Sequence, residues 1–160
     1  MAVFEVAEHF VSINGEGQHA GQLAFFLRLK GCNLSCSYCD TMWANHKDVN
    51  YTVMSEEEIA QLFLSQKLNN ITITGGEPLY RKDMAVLLEK LSKESPEDTV
   101  IEIETNGSVN LSNYSQISDK ISFTIALNIP DGASEDDTKK LVHDFVDRYG
   151  EKGRTLCWIF

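Results

Sequence analysis

The chain has 160 residues, 42% hydrophobic and 24% charged, enough for one globular domain over residues 1–160 with a substantial core. Its 24 Asp+Glu against 14 Lys+Arg give a net charge of -10, a surface that repels phosphate backbones and disfavours a nucleic-acid partner. No run approaches the roughly eighteen apolar residues of a membrane span, and Met1-Ala2-Val3-Phe4-Glu5 has neither the basic segment nor the apolar stretch of a secretory signal, so a cytoplasmic location is expected.

In chain order, Ile13-Asn14-Gly15-Glu16-Gly17 comes first, either a ligand-contacting loop or an ordinary glycine-rich turn. Gly15-x-Gly17-x-x-x-Gly21 is one residue too long for a dinucleotide fingerprint and precedes its strand instead of following it. Residues 23–29 are nearly all apolar and read as a strand buried on both faces. Arg28 lies inside that run, where its guanidinium needs a carboxylate ligand or a protein acid. The strand leads into Cys32-x3-Cys36-x2-Cys39. Ser55 with Glu58 forms a capping box for a helix whose Ile59, Leu62 and Phe63 share a face.

A second strand begins at 70 or 71 and runs to 74, ended by Gly75-Gly76-Glu77-Pro78. These glycines let backbone approach a ligand closely and Glu77 can hold an ammonium, although the run is also a plain turn. Met84, Leu87, Leu88 and Leu91 mark a second amphipathic helix. Residues 99–104 form a third strand on which Glu102 and Glu104 share a face, holding ribose hydroxyls or facing a polar rim. Thr105-Asn106-Gly107 closes it. A fourth strand covers 121–127, and Leu141, Val142, Phe145, Val146 and Tyr149 line a last helix with Ser134 as cap and Asp137 in its first turn. Residues 156–160 read as a further strand.

Strands separated by helices predict an α/β fold with a mostly parallel sheet, either open or a partial barrel. The cysteine loop, the Gly-Gly-Glu turn and the Glu-Thr-Asn-Gly turn each follow a strand, so all three should meet on one rim, where such folds place their chemistry. No repeat, low-complexity tract or interdomain linker is visible.

Three thiolates on one short loop can each take one iron of a [4Fe-4S] cubane and leave the fourth open to a small molecule. The alternatives are structural zinc, which commonly needs four ligands in two pairs, and plain thiols. His46 is the nearby histidine, and Cys157 beside Trp158 reads as a small buried hydrophobe. Tyr38 can cover one side of a cluster or simply pack. Such a cluster is easily oxidised, which again suits a reducing compartment.

The Cys-x3-Cys-x2-Cys run resembles the signature of radical S-adenosylmethionine enzymes, and Gly75-Gly76-Glu77 looks like the turn that holds the cofactor's methionyl amino group. Within that superfamily, segments 12–17, 26–28, 31–41, 43–44, 73–79 and 101–107 resemble the 7-carboxy-7-deazaguanine synthases, in the family order. The resemblance implies a partial (βα) barrel and a lyase of queuosine and 7-deazapurine biosynthesis. It would convert 6-carboxy-5,6,7,8-tetrahydropterin to 7-carboxy-7-deazaguanine with loss of ammonia, through a 5'-deoxyadenosyl radical.

By position, Cys32, Cys36 and Cys39 would ligate the cluster, and Thr41 would bind Mg2+. Tyr38, Asp40, Gly75, Gly76, Glu77 and Glu104 would contact S-adenosylmethionine; Ile13, Asn14, Gly15, Arg28 and Thr74 would contact substrate. Asn14 stands where relatives often carry glutamine. No further side chain is assigned a catalytic role. A homodimer and a flavodoxin- or ferredoxin-like electron donor would be the partners. Two departures are expected to matter: family members continue several dozen residues further, and the lysine-bearing segment usual after the fourth strand is replaced by Ala126-Leu127-Asn128-Ile129-Pro130-Asp131-Gly132-Ala133. A glycyl-radical enzyme activase and a noncatalytic cluster- or zinc-binding scaffold are the competing readings.

Overall fold

A computed structural model describes residues 1–37, 39–127, 134–149 and 155–159. Its strands are β1 (Val3–Ile13), β2 (Leu23–Leu29), β3 (Thr52–Ser55), β4 (Asn70–Gly75), β5 (Val100–Thr105), β6 (Ile121–Leu127) and β7 (Thr155–Ile159). The helices are α1 (Glu56–Ser65), α2 (Met84–Glu94), α3 (Ser112–Ser115) and α4 (Glu135–Tyr149). One sheet carries the strands in the order β3-β1-β2-β4-β5-β6-β7. The expected parallel pairing holds from β2 through β4, β5 and β6 to β7, whereas β1 runs antiparallel to both its neighbours. The sheet is therefore mixed, as α/β sheets with an added hairpin commonly are.

Alternation along the strands gives the sheet two unlike faces. Phe25, Leu27, Leu29, Ile71, Ile73, Ile101, Ile103, Ile121, Phe123 and Ile125 join one apolar cluster with Ile59, Ala60 and Phe63 of α1 and Met84, Leu87, Leu88 and Leu91 of α2. Each large side chain buried there stabilises the fold by about 1.5–3 kcal/mol. Between them, on the opposite face, stand Arg28, Thr72, Thr74, Glu102, Glu104, Ser122 and Thr124. Neighbouring strands align them in rows, Arg28 beside Thr74, Thr72 beside Glu102 and Ser122, and Glu104 beside Thr124.

Two strands were not expected from the sequence. In β1, Phe4 and Val6 are buried in the core, but the register shifts between Val6 and Glu8, so Glu8 lies opposite Arg28 on the polar face. That bulge breaks the period of two on which strand recognition relies. β3 is only four residues long and ends in the Ser55 that caps α1, so the helix signal masked it.

The expected caps are present. Ser55 Oγ accepts from Glu58 N–H at 3.2 Å while the Ser55 N–H donates to Glu58 Oε2 at 2.8 Å. Ser134 Oγ accepts from Asp137 N–H at 3.1 Å. Val142 of α4 packs against the core. The side chains of Leu141, Phe145, Val146, Tyr149 and Cys157, and residues Tyr38, 128–133 and Phe160, lie outside the described residues. No described helix is long and apolar enough to cross a membrane.

Candidate active site

The three turns expected on one rim meet at the carboxyl ends of β2, β4 and β5. Gly76 N–H donates to Leu29 O at 3.2 Å, and Glu77 N–H donates to Gly31 O at 3.0 Å, joining the Gly-Gly-Glu turn to the start of the cysteine loop. Gly75 has φ +138 and packs against the Leu29 backbone, and Gly76 packs against Gly31 O and Asn45 Oδ1. A side chain at either would force these backbones apart.

Glu77 is fully buried. Its Oε1 accepts from Thr105 Oγ1 at 2.8 Å and Leu79 N–H at 3.0 Å, and its Oε2 accepts from Asn106 N–H at 2.7 Å. Burial pushes its carboxyl up from the ordinary value; these three donors oppose that shift without cancelling it. The acid expected to hold an ammonium is occupied by these three donors and joins the turn after β4 to the turn after β5. Sequence reading did not assign Thr105 or Asn106 this role, since the signal is only that two rim turns of neighbouring strands carry complementary groups.

Cys32, Cys36 and Cys39 are partly buried, and none forms a disulfide. Cys32 Sγ accepts from Leu34 N–H at 3.3 Å and from Asn106 Nδ2 at 3.7 Å. Burial raises the Cys32 thiol pKa, while the Leu34 N–H pulls it back and Glu77 pushes it further up. Asn106 Nδ2 also reaches Asn33 Oδ1 at 3.1 Å, and Asn33 Nδ2 reaches Ser108 Oγ at 2.9 Å, so the cysteine loop is tied to the turn after β5. Thr41 Oγ1 donates to Gly75 O at 3.5 Å and lies 3.6 Å from Cys39 Sγ. Asp40 is exposed, and Tyr38 lies outside the described residues.

Among the described residues no three His, Cys, Asp or Glu side chains converge on a point suited to a single metal ion. The donor set nonetheless fits an iron–sulfur cluster. It has three soft thiols on one loop, one of them receiving two hydrogen bonds of the kind that tune such clusters.

Below the rim, the polar face holds a second network. Glu102, 3% exposed, accepts from Asn14 Nδ2, from Thr124 Oγ1 at 2.5 Å and from Thr72 Oγ1 at 3.5 Å. Asn14, 2% exposed, uses its Oδ1 to accept from Glu16 N–H at 3.1 Å. Gly17 (φ +72) rests against Glu102 and Thr124, so the loop between β1 and β2 folds across this face. Glu102 is thus a buried anchor for that loop, a use that neither alternative for the residue included. The Glu104 carboxyl is pushed up by burial first, against the pull of the Thr74 hydroxyl; Glu16 and Glu102 push it further up and Arg28 pulls it back.

Arg28 Nε donates to Glu8 Oε1 at 2.8 Å, which identifies the protein acid its position called for. Ile13 is 65% exposed, on the β1 face opposite Glu8 and Phe10, so the structure does not bring its side chain to the polar face. Gly15 borders open space.

Comparison with known proteins finds chains of similar sequence and fold. The chain is 46% identical over 145 residues to the 7-carboxy-7-deazaguanine synthase of Clostridium acetobutylicum, covering 91% of this chain and 65% of the relative. It is 35% identical over 153 residues to the protein of that name from Methanothermobacter thermautotrophicus, covering 89% of this chain and 60% of the relative. The synthase of Methanospirillum hungatei is 43% identical over 106 residues, with 66% and 43% covered. The chain therefore spans less than two thirds of the length of these relatives. Among solved structures, QueE from Escherichia coli superposes with TM-score 0.69 at 21% identity, over 98% of this chain and 82% of that one. BtrN, solved in complex with AdoMet and 2-DOIA, gives TM-score 0.57 at 19% identity, over 81% and 53%. Both share the fold. The profile described as "Radical SAM superfamily" matches residues 27–151, from the strand that bears Arg28 through the cysteine loop and the bonded rim turns, and the chain belongs to that superfamily.

Proposed function

We propose that this chain, as a single domain, is a 7-carboxy-7-deazaguanine synthase, a lyase acting on 6-carboxy-5,6,7,8-tetrahydropterin with release of ammonia. The observation that carries the reading is Arg28. It is the only Lys or Arg within the seven strands, and it stands on the polar face beneath the rim that bears the three cysteines. A guanidinium on a sheet face otherwise made of hydroxyls and acids suits a ligand with one carboxylate for its fork and several hydrogen-bonding ring edges for the groups around it. The relatives printed under the synthase name support the same choice.

In this reading Cys32, Cys36 and Cys39 hold a [4Fe-4S] cluster, and Gly75, Gly76, Glu77, Glu104, Asp40 and Tyr38 border S-adenosylmethionine. When bound, the two supply an electron and a carbon radical able to remove hydrogen from substrate. Gly76 offers backbone at close range, and Glu77 keeps the rim turns in register. Arg28 anchors the carboxylate, with Thr74 beside it. Ile13 and Gly15 contribute backbone from the loop that Asn14 fixes, and Thr41 offers a hydroxyl to Mg2+. A homodimer and a flavodoxin- or ferredoxin-like donor complete the proposal, in the cytoplasm.

The test is anaerobic reconstitution followed by electron paramagnetic resonance of the dithionite-reduced protein, with and without S-adenosylmethionine. A [4Fe-4S]+ signal that changes on cofactor addition is expected, followed by 7-carboxy-7-deazaguanine detected by mass spectrometry when the carboxylated tetrahydropterin is supplied. A changing signal with 5'-deoxyadenosine but no deazaguanine would leave a radical enzyme and remove this substrate; no cluster at all would remove the radical reading.

A further inference from the structure

The guanidinium of Arg28 is fixed from two directions. At its edge, Nε donates to Glu8 Oε1 at 2.8 Å, the Arg28 side chain being 16% and Glu8 40% exposed. Across its face, the Trp43 ring centroid lies 5.9 Å from Cζ, within range of a cation–π contact. The ion pair to Glu8 uses Nε and leaves the terminal Nη1 and Nη2 groups outside it. Those two nitrogens form the fork whose spacing matches a carboxylate.

Glu8 reaches this position through the β1 bulge. In a regular strand Glu8 would share a face with Val6, which is buried in the core; the register shift puts it opposite Arg28 instead. The setting is already rich in carboxylates, with Glu102 and Glu104 on β5, the strand beyond β4, and Glu16 in the loop between β1 and β2. A further acid there lowers the affinity for an anion by charge alone. Its use must come from geometry: an arginine side chain with its edge held loses less freedom when its fork engages a ligand.

We propose that Glu8 is a positioning residue that presents the Arg28 fork to the substrate carboxylate and thereby sets the preference for a carboxylated over an uncarboxylated pterin. The inference rests on the reading of Arg28 as carboxylate anchor. Trp43, in the short turn of helix that follows the cysteine loop, supports the same orientation from the ring face.

The test uses the full chain reconstituted with cluster and S-adenosylmethionine, and the fluorescence of two stable probes, 6-carboxypterin and pterin without the carboxylate. Glu8→Ala is expected to weaken 6-carboxypterin binding about tenfold while leaving pterin within about twofold. Glu8→Gln, which keeps an oxygen acceptor for Nε and removes the charge, should bind 6-carboxypterin as well as the parent or better. A role in charge balance alone makes the opposite forecast for Glu8→Ala, since both variants would then free a cation and tighten carboxylate binding. That result overturns the proposal, as does Glu8→Gln falling with Glu8→Ala, or an equal loss for both probes. Arg28→Met separates the two levels. If it erases the preference and Glu8→Ala does not, the Glu8 role alone fails. If Arg28→Met keeps the preference, or the parent protein has none, the anchor reading fails and this inference with it.

Discussion

At the scale of single residues, the polar face concentrates acids whose charges oppose one another. The Glu104 carboxyl is raised by burial, then by Glu16 and Glu102. A raised acid stabilises the fold below the usual carboxylate range, and that contribution is lost as pH rises through the folded value. Glu104→Gln should therefore raise the melting temperature of the cluster-free protein by roughly 2–4 °C near pH 8, about 1 kcal/mol for a chain of this size. The gain should vanish by about pH 4, and melting curves that differ equally at both pH values would contradict it. Gly17 offers a contrast with Gly15. With φ +72 and Glu102 and Thr124 where a methyl would go, Gly17→Ala should cost about 1–3 kcal/mol, whereas Gly15→Ala, facing open space, should stay within about 0.5 kcal/mol in denaturant titration. The sequence made the loop visible as a glycine-rich turn. It did not make visible that Glu102, 88 residues from Asn14, is the floor on which the loop rests.

Among the elements, those that depend on local signals were legible: the Ser55 capping box and the Ser134 cap, the helical faces of α1 and α2, and the alternating strands β4 and β5. β1 was not, because its meaning changes sign midway. Phe4 and Val6 face the core, Glu8 and Phe10 face the polar side, and Ala7 is the extra residue between them. This predicts an asymmetry between two single-residue deletions. Without Ala7, Val6 and Glu8 still pair with Leu29 and Arg28 in an unbroken ladder, so the variant should fold and melt within a few degrees of the parent, on the order of 1 kcal/mol. Without Glu5, Phe4 moves to the outer face and its burial is lost, at about 2–3 kcal/mol. Thermal melts of the two variants decide it; equal losses would mean that the bulge itself carries the stability.

For the whole molecule, the net charge of -10 sets a background of self-repulsion. The described ion pairs, such as Lys90 with Glu57 and Glu94 or Lys139 with Glu135, are surface contacts of small individual worth. Raising salt from about 0.05 to about 0.5 M should therefore raise the melting temperature, because screening relieves more repulsion than it removes attraction. A fall would show that the ion pairs dominate. The convergence of three strand-end turns on one rim was legible, since in a parallel arrangement each motif follows its strand. What joins them was not, because complementarity between Glu77 and Asn106 across two strands leaves no trace in spacing. That carboxylate has a kinetic consequence as well. By fastening neighbouring turns together during folding, it leaves fewer conformations open to the loop beside them, so under the proposed function a cluster would fill a mould more than shape one.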